Sequence, residues 1–184
     1  MIVRPLSGTG YSDDALLVEQ SKEMFAHFGL AVHASNILET AVLNALFAAE
    51  LGTRILTFRN REEWEGAYDA FYKNGLMQTF GKLVRRISAF PAFTQNLIDT
   101  LFVCKDVRNN LVHHMQRDAA EMIYSDAGRG ELIASYLNAV RLFEVTSEQV
   151  ERELHNLFVA IGVDTDMLAR RIEDDMRRLV ATAN

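Results

Sequence analysis

The chain has a single cysteine, Cys104, in 184 residues, which rules out an intramolecular disulfide framework and any multi-cysteine zinc site. That usage fits a reducing, cytosolic setting. Proline and glycine are also scarce, 2 and 10 residues. So little punctuation argues against a sandwich or barrel, whose many tight turns need both, and against a low-complexity chain. Basic charge is not in excess: 19 Lys and Arg stand against 25 Asp and Glu, for a formal charge of -6. This excludes a wholesale electrostatic grip on nucleic acid while leaving room for a local basic patch. Long apolar runs are missing as well. The most apolar stretch, Ala41 to Ala49, is interrupted by Asn44, and the N-terminus carries no run of signal-peptide length. The expectation is a soluble, cytoplasmic protein with no membrane partner.

What is present is helical periodicity. With 49% hydrophobic residues, the chain can bury the core of one domain, expected to span 1–184 with 1–11 as an N-terminal arm. Ser12 reads as an N-cap, with Asp13 and Asp14 in the first turn and Tyr11 placed to staple onto Leu16. The stripe Leu17, Ser21, Met24, Phe28, Ala31, Ser35, Leu38, Val42, Ala45, Ala49 then predicts a long helix stopped by Gly52, with Gly29 as a kink point. After a loop through Thr57, Asn60 and Glu63 form a capping-box start for a helix carrying Trp64, Tyr68 and Phe71, ended at Asn74-Gly75. Further helices are expected over 76–89, from about Ala92 to His114, from Glu131 to Ala160 after a loop at Gly128-Arg129-Gly130, and from Asp164 or Thr165 to about Val180. No segment alternates long enough to support a strand. The expected fold is all-α, a helical bundle built on long antiparallel helices.

The informative segment is the helix ending near His114. Its apolar lane, Leu97, Leu101, Cys104, Leu111, Met115, has a guanidinium in the slot four residues after Cys104, where Arg108 replaces an expected leucine. Burying an unpaired charge costs several kcal/mol, so Arg108 needs a partner, a wet cleft or a protein interface. Asn109 and His113 stand four apart on the adjoining side. A histidine that titrates near neutrality and an arginine that stabilises a crowded phosphorane suit RNA cleavage by the substrate's own 2′-hydroxyl, with no metal or other cofactor. The alternative is structural: Arg108 pairs with a carboxylate such as Glu39, and His113 and His114 close a helix whose dipole favours cations.

Arg108-Asn109-Asn110-Leu111-Val112-His113 resembles the R-x4-6-H motif of the HEPN superfamily, including that family's preference for Asn, Asp or His after the arginine. The resemblance implies a helical bundle that pairs as a homodimer, with the two motifs meeting to form a metal-independent endoribonuclease site. Arg108 and His113 would be catalytic and Asn109 supporting. Some clades add an acidic residue on an earlier helix, where Glu39, accompanied by Asn36, is the natural candidate. A tyrosine two residues past the histidine is an antitoxin's target in another clade; Met115 stands there in this chain. The implied partners are RNA, a second copy of the chain, and an antitoxin or regulatory protein. The alternative within the same resemblance is a catalytically inactive helical binding or regulatory module. Lys82, Arg85 and Arg86 share a helix face that can guide RNA phosphates, although an ordinary solvated helix face is the favoured reading. Trp64, Tyr68 and Phe71 read as packing, and no histidine spacing suits a metal.

Overall fold

In a computed structural model of the chain, the structure describes residues 15–113, 120–163 and 177. The expected cap at Ser12, the staple from Tyr11, His114, Met115 and the helix expected after Asp164 lie outside the described residues. Within them the fold is an all-α bundle with no strand. Its α-helices are α1 (Ala15–Glu50), α2 (Arg61–Leu76), α3 (Phe80–Ile87), α4 (Gln95–His113), α5 (Ala120–Ile123) and α6 (Asp126–Ala160), and a 3-10 helix (Gly52–Thr57) occupies the stretch expected to be a loop.

α1 is the central element, touching α2, α3, α4 and α6. Small side chains let neighbours approach its backbone closely. Ala31, Ala34, Ser35, Ala41, Ala45 and Ala49 are all buried, interleaved with Leu38, Val42 and Leu46. The Glu19–Glu50 span is long and apolar enough, by composition alone, to be a membrane-span candidate, with half of its most apolar window buried inside the bundle. The sequence reading stopped at Ala41 to Ala49 because it sought an unbroken run; isolated polar residues such as Asn44 do not lower the average over a longer window.

The principal seam joins α1 to α6, and here the expected antiparallel pairing needs correction. Arg129 Nη2 donates to Gln20 Oε1 at 2.7 Å, Phe28 meets Tyr136 edge-on at 5.6 Å, and Ile161 lies over Gly52. Residue numbers rise together along both helices, so the two longest helices run parallel. α4 supplies the antiparallel pass: Thr94 bonds to Glu153, and Cys104 Sγ to Thr146 Oγ1 at 3.4 Å. Burial pushes the Cys104 thiol above its ordinary range, so this cysteine is an inert core residue.

α6 begins five residues before the sequence reading placed it. Ser125 caps it, its hydroxyl accepting from Gly128 N at 3.1 Å, and Gly128-Arg129-Gly130 forms the first turns of the helix instead of a loop. Arg129 is 1% exposed. Its guanidinium is satisfied by Gln20, Asp126 and the Ile123 carbonyl, tying α5 and both long helices together at one end. Gly162, at φ 79°, closes α6 in the left-handed conformation expected of a glycine there.

α2 is held to α1 by rings. Phe47 contacts Trp64, Tyr68 and Phe71 at centroid distances of 5.6, 5.3 and 5.6 Å, and Tyr72 Oη donates to Asn44 Oδ1 at 2.8 Å. The aromatic side chains of α2 are thus packing residues, as their spacing suggests. Asn60 caps α2 through Glu63 N, but Glu63 returns its carboxylate to the Arg59 amide, one residue earlier than in a standard capping box. The helix continues through Gly75 to Leu76, and Gly75 is buried where a Cβ would collide with the Leu43 side chain.

Two glycines in the first turns of α6 should respond oppositely to alanine. A Cβ on Gly128 would meet the backbone of Met122, whereas one on Gly130 meets nothing within 4 Å. Gly128→Ala should destabilise the protein by about 1–3 kcal/mol and Gly130→Ala should be neutral or stabilise by up to about 1 kcal/mol. Thermal or urea melting checks both.

Candidate functional site

α4 carries the motif, and its start is anchored twice. Glu153 of α6 accepts from the Thr94 amide at 2.9 Å, and the Thr94 hydroxyl accepts from Leu97 N at 3.4 Å. From that clamp the lane Leu97, Leu101, Cys104, Leu111 runs buried along the helix. Arg108 occupies the remaining slot and is half-buried, with its Nε enclosed and without a hydrogen-bond partner among the described residues. Such a donor is costly to leave unpaired.

Across from it stands Glu39 of α1, also half-buried. Burial pushes the Glu39 carboxyl above the usual carboxylate range, while the nearby Arg108 cation pulls it back. The two are electrostatic neighbours, but among the described residues no hydrogen bond joins them. Glu39 lines a recess of about 260 Å³ with Asn36, Thr40 and Leu43, closed by Gly75 and Leu76 from the end of α2. Asn36 is exposed at its rim and Asn109 is half-buried on α4. The fold therefore gathers Arg108, Glu39 and Asn36 around one part of the molecule.

His113 is the last residue of α4 and is exposed. Five residues of helix turn it about 140° from Arg108 and carry it about 7.5 Å along the axis. In one copy, then, the arginine looks toward α1 and the histidine stands at the helix end. The basic residues of α3 also separate. Lys82 and Arg85 are exposed, whereas Arg86 is half-buried, held by Glu50 at 2.8 and 2.9 Å and stacked 5.5 Å from the Phe71 ring. Arg86 is committed to fastening α3 to α1 and α2, leaving Lys82 and Arg85 as the solvent-facing cations of that face.

On the opposite flank of α4 the structure holds a larger groove, about 530 Å³, against α6. Asp106, Val107, Asn110 and Leu111 form one wall, and Ser135 and Asn138 stand on the other. None of these residues has a binding role in the sequence reading. Their signal was weak but present: Asp106 and Asn110 are one turn apart, as are Ser135 and Asn138, and both pairs border apolar lanes.

Comparison with known protein families, with curated proteins and with solved structures finds no match to this chain.

The raised Glu39 carboxyl has a consequence for stability. Its ordinary pKa of 4.5 is that of the unfolded chain, and the folded value lies higher. The stability it contributes is complete below 4.5, where the group is protonated in both states, and is lost as pH rises through the folded value. Glu39→Gln, which mimics the protonated form, should therefore raise Tm at pH 7, and the gain should vanish below pH 4.5. Melting curves across that range provide the measurement.

Proposed function

We propose that this protein is a HEPN-like, metal-independent endoribonuclease of the cytoplasm that cleaves RNA by attack of the 2′-hydroxyl on the adjacent phosphate. Its site is composite, assembled between two copies of the chain. The observation that carries the reading is the Arg108 Nε, enclosed and without a partner among the described residues, in an apolar lane beside a half-buried carboxylate. A cation kept this way is poised for an anion delivered from outside the chain.

The roles follow from chemistry. Arg108 stabilises the negative charge that accumulates on the phosphorane oxygens. His113, exposed at the end of α4, moves the proton of the attacking hydroxyl or of the leaving group. Asn109 orients the phosphate or the imidazole, and Glu39 keeps Arg108 aligned until substrate arrives. Lys82 and Arg85 add distant phosphate attraction. Because Arg108 and His113 diverge around one helix, a phosphate reached by both is best served by the arginine of one copy and the histidine of the other. Apolar side chains suited to bringing copies together flank this region: Leu76 and Met77 are 75% and 85% exposed, and Ile37 and Val112 are also uncovered.

The test is incubation of purified protein with mixed RNA in a chelator. Cleavage should persist, leave a 2′,3′-cyclic phosphate or its hydrolysis product, and spare DNA of the same sequence. Arg108→Ala and His113→Ala should each lower the rate by about a hundredfold or more, with melting curves confirming that both remain folded. A strict requirement for magnesium, or full activity in folded His113→Ala, would refute the mechanism. Light scattering at micromolar concentration should show twice the 20.8 kDa chain mass; a monomer would remove the composite site.

A further inference from the structure

The groove between α4 and α6 is independent of the recess holding Glu39, and nothing in the proposed cleavage chemistry uses it. It is bordered by the same two turns of α4 that carry Arg108 and lead to His113. Val107, half-buried, and Leu111, 3% exposed, give it an apolar floor. Asp106 and Asn110 stand along one rim and Ser135 and Asn138 along the other. Its volume of about 530 Å³ falls within the range of small-molecule sites. A slot with apolar floor and hydrogen-bonding rims matches a flat ligand that has apolar faces and polar edges, which is the description of a nucleobase.

The side chains on the rim select among bases. Asp106 brings a carboxylate, a hydrogen-bond acceptor, and the Lys105 Nζ lies 2.7 Å from its Oδ1. A carboxylate is best satisfied by two neighbouring donors, and guanine alone among the four RNA bases offers them on one edge, at N1 and the 2-amino group. Adenine and cytosine present one exocyclic amine each there, and uracil one ring N–H. The amides of Asn110 and Asn138 can donate to the guanine O6 and N7 acceptors. The same carboxylate repels phosphate, so the groove takes the base while the backbone passes outside it.

We infer that the α4–α6 groove is a guanine-binding subsite in which Asp106 determines specificity. As a subsite for substrate RNA it rests on the nuclease reading, placing a guanine beside the scissile phosphate.

Asp106 and Asn138 are exposed, so Asp106→Asn and Asn138→Ala should keep the wild-type Tm. Guanosine 3′-monophosphate and adenosine 3′-monophosphate, titrated into the full chain by calorimetry, share a phosphate and differ only in base. The guanine nucleotide should bind at least about tenfold more tightly, and Asp106→Asn should abolish that preference. Equal binding of the two, or an unchanged preference in Asp106→Asn, would overturn the assignment. The cleavage assay separates this inference from the one beneath it. Cuts clustered next to guanines in wild type and scattered in Asp106→Asn would support the subsite. Cuts at all bases alike would overturn the subsite and leave the nuclease standing. An intact, Asp106-dependent guanine preference in a protein that cuts no RNA would support the groove as a guanine site and remove the nuclease.

Discussion

The close approach of α1 and α6 is the constraint on which the rest of the molecule depends. It is possible because α1 offers alanine and serine where a larger residue would hold its neighbours off, and because α6 answers with Ala139, Val140, Ser147 and Val150. Once these two helices lie parallel, α4 must come back between their ends in the opposite sense, and it packs against both. The buried Arg129 fastens one end of this arrangement through partners on α1, on α5 and on α6 itself. Each guanidinium nitrogen finds an acceptor there, which is why a fully buried cation can be tolerated.

Arg108 and Arg129 make a useful contrast. Both stand among apolar neighbours, and both are arginines on helices of the core. Arg129 is saturated by its own chain, whereas Arg108 keeps an enclosed Nε with no acceptor among the described residues. The first has the character of a fastening and the second that of a receptor. α4 acts as a partition between two recesses of different chemistry. On one flank Glu39 and Arg108 oppose charges in a partly dry setting; on the other, Asp106, Asn110, Ser135 and Asn138 frame an apolar strip.

Much of the bundle was legible in the sequence because periodicity reports burial directly. Leu97, Leu101, Cys104 and Leu111 are the buried lane of α4, and the cap at Asn60 and the terminator at Gly162 act where local chemistry places them. What was misread depends on contacts distant in sequence. Gly128 and Gly130 look like loop residues until Met122 is seen packed against the first of them. The direction of α1 relative to α6 has no local signature, since an apolar stripe is the same read either way. Arg86 looks like a free surface cation because its partner, Glu50, lies 36 residues earlier. At the motif, sequence suggested Glu39 as one carboxylate for Arg108, and the two are electrostatic neighbours, but the divergence of Arg108 and His113 around α4 becomes important only once the helix is fixed against α1.

The parallel seam also bears on how the chain reaches its fold. In a hairpin bundle each helix meets its partner as soon as the next one is made. Here Gln20 and Arg129, which meet at the head of the seam, are 109 residues apart, and the tail of the seam needs Ile161. Contacts of such separation make loop closure costly and slow the search relative to helical proteins of local topology. During synthesis α1, the most apolar of the described helices, emerges well before its principal partner, α6. Between those moments the alanine-lined face of α1 is uncovered, so the nascent chain carries a stretch that α2, α3 and α4 can only partly shield, and that chaperones or a second unfinished copy can reach.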